Sequence, residues 1–212
     1  MVYWIRIQFI FNRRNMSKIN NICLSLVLLT ACSGQNAEQN NSMQAFGMIP
    51  DQEKLNIYEE AFGLPMEEGM RKLDVDAGSI SADHVIRNLY VLNEAAEYES
   101  EEFEILLYTD QIDGNESIYA VTYRSVLSEN STEAASFVNR MLEDITESYG
   151  DPDTFEGLEN RLCDVDIGLL IEAGNPASAY EEWILSDHLK AVYTFEILDS
   201  ENSVITLMIR LV

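Results

Sequence analysis

The chain has 212 residues, with 37 Asp and Glu against 13 Lys and Arg and a formal net charge of −24 at pH 7. From Cys32 onward all 37 acids remain beside nine cations, a formal charge of −28. So few cations build no basic patch, which excludes nucleic acid as a partner; the acidity fits a solvated surface, a basic protein partner, weak calcium binding, or the acidic surface bias of a salt-adapted organism.

Residues 1–31 contain no Asp or Glu and carry Arg6, Arg13, Arg14 and Lys18. An apolar run, ICLSLVLL at 22–29, precedes Thr30, Ala31 and Cys32. A basic lead, a short apolar core and small residues before a cut form a secretory signal, too short to span a bilayer. Counted from Met16 the signal has an ordinary length, so Met16 is the expected start and residues 1–15 an upstream extension. The apolar run at 3–11 is broken by Arg6 and Gln8 and reads poorly as a membrane anchor. Leu29-Thr30-Ala31-Cys32 resembles the lipobox of bacterial lipoproteins. The resemblance implies a diacylglyceryl group on Cys32, cleavage after Ala31 and acylation of the new amine. With Ser33 next and no Asp nearby, it also implies sorting to the outer membrane, with the domain facing the periplasm. Several buried acyl chains hold a protein stably where one holds it marginally.

Residues 32–50, rich in Gln, Asn and Ser, read as a lipidated flexible tether to an acidic domain at 51–212. Cys23 leaves with the signal and Cys32 takes lipid, so Cys163 is the one cysteine of the domain and forms no internal disulfide. A lone Cys reads as a small buried apolar residue, since a nucleophile needs a base and the chain has two isolated histidines, His84 and His188.

The domain opens with a helix over 51–62 and a short second helix over 66–73. A strand is expected at 85–92, and two more, at 103–108 and 117–126, flank an Asp-Gly turn. Alternation puts Ile118, Ala120 and Thr122 on one face of the last strand and Tyr119, Val121 and Tyr123 on the other. The clearest helix follows. Asn130 with Glu133 makes its cap, and Ala134, Val138, Met141, Leu142, Ile145 and Tyr149 make its apolar stripe. Gly150 and Pro152 end it. Residues 153–176 read as irregular, 182–185 as a short strand with Trp183, and 189–198 with 203–211 as a last hairpin.

The two halves echo each other at an offset of 87. Tyr58 meets Ile145, Phe62 meets Tyr149, Gly63 meets Gly150, Pro65 meets Pro152, and Ile118 meets Ile205. Asp-Val-Asp-x-Gly occurs at 74–78 and again at 164–168. The echo fits two tandem helix-then-strands repeats, 51–127 and 130–212, or the common punctuation of helix ends. The fold class is α+β, helices packed on one face of a mostly antiparallel sheet. Helix, Gly-x-Pro at 63–65 and 150–152, and strands after it make the arrangement similar to the small outer-membrane lipoproteins of the SmpA/OmlA (BamE) type and to the β-lactamase-inhibitor-like fold. In those families the Gly-x-Pro closes a second helix and here it closes the first, so no residue role is carried over.

No catalytic or cofactor motif emerges: phosphate loop, nucleophile elbow and zinc helix are absent. As a calcium loop, 109–120 matches the EF-hand acids only at Asp113 and reads as a hairpin turn. The two Asp-Val-Asp-x-Gly segments read as turn entries or as divalent sites. The acidic run of Glu94, Glu97, Glu99, Glu101, Glu102 and Glu104 reads as a solvated loop. With so many acids no glycosidase-type pair stands out. The expectation is a lipid-anchored, non-enzymatic binding or assembly protein, without a cofactor. The alternatives are an inhibitor of a basic-faced enzyme and a calcium-responsive module.

Overall fold

The computed structural model describes residues 48–127, 132–153 and 160–212, all within the unit Asn40–Val212. The signal segment, Cys32, residues 32–47 of the tether and the expected cap Asn130 lie outside the described residues. Met48 and Pro50 are buried, so packing reaches into the expected tether.

Helix α1, Gln52–Ala61, starts where the Asp51 carboxylate accepts from the Lys54 amide at 3.0 Å, satisfying one orphan amide. Leu55, Tyr58 and Ala61 form its buried stripe. Gly63, at φ +83, turns the chain, and its amide donates to the Ile118 carbonyl at 2.8 Å. Helix α2, Met66–Lys72, follows Pro65. A Cβ on Gly69 would lie 3.0 Å from the Ala61 carbonyl and 3.3 Å from the Ile118 side chain, so glycine permits that close approach. The strands β1 (Ile80–Ala82), β2 (Leu89–Tyr98), β3 (Glu101–Ile112) and β4 (Asn115–Leu127) follow. Then come α3 (Thr132–Tyr149), α4 (Ile167–Ala173), β5 (Ala177–Ile184), β6 (Leu189–Ile197) and β7 (Ser203–Leu211).

The seven strands form one sheet in the order β1-β2-β3-β4-β7-β6-β5, with every strand pair antiparallel. Leaving β1 aside, the order reads the same from either edge. Two three-strand meanders, each preceded by two helices, meet where β4 pairs β7. Gly63 and Gly150 end the leading helix of each half at φ +83 and +86, and Ile118 and Ile205 are both buried.

The leading helices pack on one face of the sheet. The Tyr58 hydroxyl of α1 meets the Tyr123 hydroxyl of β4 at 2.7 Å, with both rings buried. The Tyr193 hydroxyl of β6 donates to the Val138 carbonyl of α3 at 3.2 Å. Phe137 of α3 stacks on Phe103. Trp183 of β5 donates to the Gly150 carbonyl at 2.9 Å. The stripe foreseen on α3 is largely correct, with Ala134, Val138, Met141 and Ile145 buried and Leu142 and Tyr149 partly so.

Four expectations are corrected. The strand placed at 85–92 starts at Leu89, because Asp83 folds residues 83–88 into a turn by accepting from the Val85 and Ile86 amides at 2.7 and 2.6 Å. The acidic run is a hairpin, not a loop: Glu94 and Glu97 lie in β2, Glu101, Glu102 and Glu104 lie in β3, and Glu99-Ser100 make the turn. The stretch 153–176 contains α4, which is capped by Asp166 accepting from the Leu169 amide and ended by Gly174 at φ +61. Finally, the register slips in β4: Tyr108 pairs with Ala120 but Thr109 pairs with Ile118. Tyr119 is the extra residue of a bulge, which flips the alternation. Ile118 thereby joins Val121 and Tyr123 on the helix side, and Tyr119 contacts Tyr108 on the other.

Candidate functional site

The other face of the sheet carries no helix among the described residues. Its side chains fall into four rows fixed by the strand register. The first is Leu89, Tyr108, Ala120, Arg210, Lys190 and Ile184, running from β2 to β5. The second, Val91, Leu106, Thr122, Met208, Val192 and Glu182, is apolar through the central strands except at Thr122, whose hydroxyl is buried without a partner among the described residues. The third is Ala95, Glu104, Arg124, Thr206, Thr194 and Tyr180. The fourth brings Glu97 and Glu102 on β2 and β3, Val126 and Val204 at the seam, and Glu196 and Ser178 beyond. Leu89, Leu106 and Ala120 are buried yet stand apart from the helix-side core, so this face has an apolar patch of its own.

Charge is sorted along this face. Three of the nine cations, Arg124, Lys190 and Arg210, lie on it. Arg124 pairs with Glu104 at 2.6 Å and Lys190 with Glu182 at 2.9 Å. Arg210 makes no ion pair among the described residues, and its Nε is buried without a partner. It stands directly opposite Lys190, a like-charged cross-strand pair that is unfavourable on its own. Burial raises the Tyr119 and Tyr108 hydroxyls above the usual tyrosine pKa, and Arg210 and Arg124 respectively draw them part of the way back. Beside this row the 83–88 turn holds Val85 out at 91% exposure. Its Asp83 carboxylate is held below the usual range by the Ile86 and Val85 amides.

The other residues singled out by sequence do not converge on chemistry. Asp76 accepts from the Gly78 amide at 3.1 Å and Asp166 from the Leu169 amide at 3.1 Å, the roles of turn-entry and cap residues. No group of three His, Cys, Asp or Glu that could hold a metal forms among the described residues. The expected turn at 110–115 is present, with Asp113 and Gly114 at φ +51 and +82. Cys163 is exposed, which corrects the buried reading. It sits at the rim of Glu181, a fully buried carboxylate on β5 that takes Arg161 at 2.9 Å and the Cys163 amide at 2.9 Å. Local desolvation and the hydrogen bond to Glu181 push the thiol up to about 11, so it is a poor nucleophile at neutral pH. A cleft of about 360 Å³ between α1 and α3 is lined by Pro50, Asp51, Leu55, Tyr149 and Ile184. Its polar side chains are engaged elsewhere: Asp51 caps α1 and the Tyr149 hydroxyl donates to the Pro50 carbonyl.

No family model, no curated protein and no solved structure matches this chain. The helix-free face is therefore read from its own chemistry. It was not legible in the sequence, because its rows join residues up to 90 positions apart, as Ala120 and Arg210 are.

Proposed function

We propose that this chain is a lipid-anchored envelope protein, held to the outer membrane through Cys32, whose periplasmic domain binds another protein without catalysing a reaction. The observation that carries the binding role is the helix-free sheet face. It combines a largely apolar central row with Tyr108, Tyr119, Arg124 and Arg210, the residue types enriched at protein contacts. The lipobox at 29–32 supports the anchor. The palindromic strand order, the paired glycine turns and the offset of 87 support a domain made by duplication of one helix-then-strands unit.

Two measurements test this reading. Cys32→Ala should leave an unprocessed precursor that no longer floats with membranes, whereas a mature product of unchanged mass would remove the anchor from the proposal. The full chain, extracted in mild detergent and used as bait on the producing envelope, should retain a specific protein. A blank at both moderate and high salt would count against a binding role.

A further inference from the structure

We propose that the helix-free face binds a basic protein that seats one carboxylate, from an Asp, a Glu or a chain terminus, on Arg210. This rests on the binding reading above and gives it a partner chemistry. Arg210 is the anomaly that points there. In a domain with 36 acids for nine cations, an arginine near the end of a central strand has no ion pair among the described residues and faces Lys190 across the strand. Its Nε is out of contact with solvent and without a partner, while the side chain as a whole is only part-buried, so an incoming acceptor meets an undersatisfied guanidinium at its exposed end. An arginine fork fits a carboxylate with two parallel hydrogen bonds.

The surroundings set the rest of the partner. Tyr119 lies near Arg210 and contacts Tyr108 beyond it, and Met208 and Val192 lie in the next row, so the carboxylate arrives on an apolar segment. At the far end Glu97, Glu102 and Glu196 face the same way, and they call for cations about three rows, or about 20 Å, from the carboxylate. The formal charge of −28 from Cys32 onward repels a net acidic protein and steers a basic one. At about 8 Å of screening length, contact at Arg210 still selects its own counter-charge. Six strands at about 4.8 Å and four rows at about 6.7 Å span on the order of 800 Å², what one partner contributes to a standard interface.

The test is site-specific photo-crosslinking of the full lipidated chain in its own envelope. A benzophenone side chain is placed at Thr206 on this face and, separately, at Glu143 on the outer side of α3. Each is combined with native Arg210, Arg210→Lys, Arg210→Gln and Arg210→Met, and melting temperatures check that each variant folds. The expected result is a crosslink from position 206 and not from 143, to a protein of net positive charge, in a peptide that holds Asp, Glu or a C-terminus. Its yield should fall about tenfold or more in Arg210→Gln and Arg210→Met and less in Arg210→Lys. A yield indifferent to Arg210, a linked peptide without a carboxylate, or a link to residues 33–47 or to a second copy of this chain would overturn the proposal. A partner crosslinked only from 143 would overturn it while leaving the binding role standing. No link from either position would remove both.

Discussion

Two of the arginine–glutamate pairs, Arg161–Glu181 and Arg140–Glu99, show how burial decides the worth of an interaction. Arg161 and Glu181 pair at 2.9 Å with the carboxylate fully buried; Arg140 and Glu99 pair at 2.7 Å with both side chains more than a third exposed. Arg161→Met should cost about 3 kcal/mol, the low end for breaking a buried pair, because the Cys163 amide still holds Glu181. Glu99→Gln should be nearly silent in the same denaturant titration. Equal losses would mean that Glu181 is hydrated. Cys163 carries a second expectation. With its thiol pushed up to about 11, the thiolate is scarce at pH 8. Alkylation should then run about tenfold slower than in the urea-unfolded chain, the lower thiolate fraction being partly offset by its greater intrinsic reactivity. The rate should keep climbing through pH 10, and a plateau below pH 9 would mean that Glu181 does not act on the thiol. The sequence alone suggested a buried inert cysteine; inertness here comes from local desolvation of an exposed residue's thiol and, second, from a carboxylate 18 residues away, which local reading does not reach.

The elements were legible where their cause is local. The α3 stripe and the Asp113-Gly114 turn both rest on residues within a few positions of one another. The Tyr119 bulge was not, since it is defined only against β3. Neither was the β2–β3 turn, because Glu99 and Ser100 hold φ angles of +48 and +71 without the glycine or asparagine that usually marks such a turn. Glu99 is kept there by Arg140 and Tyr98 by Asp144, both from α3, so tertiary contacts supply what turn chemistry lacks. A left-handed Ser is strained. Ser100→Gly should therefore stabilise the domain by about 0.5–1 kcal/mol in thermal unfolding, relief of strain outweighing the added freedom of the unfolded chain. A loss would show that the Ser100 conformation is unstrained.

At the level of the molecule, the α+β class and, β1 and α4 apart, the order of elements in each half follow from the sequence, while the joining of the halves does not. That joint is the β4–β7 seam, where Leu127 meets Ser203 and Ala120 meets Arg210. Everything else in the sheet is built from neighbours: β2 with β3, β3 with β4, β5 with β6 and β6 with β7. Such local pairings close small loops at little entropic cost, whereas the seam brings together residues about 76 to 90 positions apart and bears the larger one. The folding barrier therefore belongs to the seam. Met208→Ala, in β7, should slow refolding in a stopped-flow chevron, and Val192→Ala, in β6 and opposite it, should mainly speed unfolding. The strand pairings inside each meander are local, so two separately made chains, 1–129 and 130–212, should find each other and restore the sheet. The molecule would then be a split protein in waiting, reassembled through one pair of strands and the seating of α3 on β2 and β3.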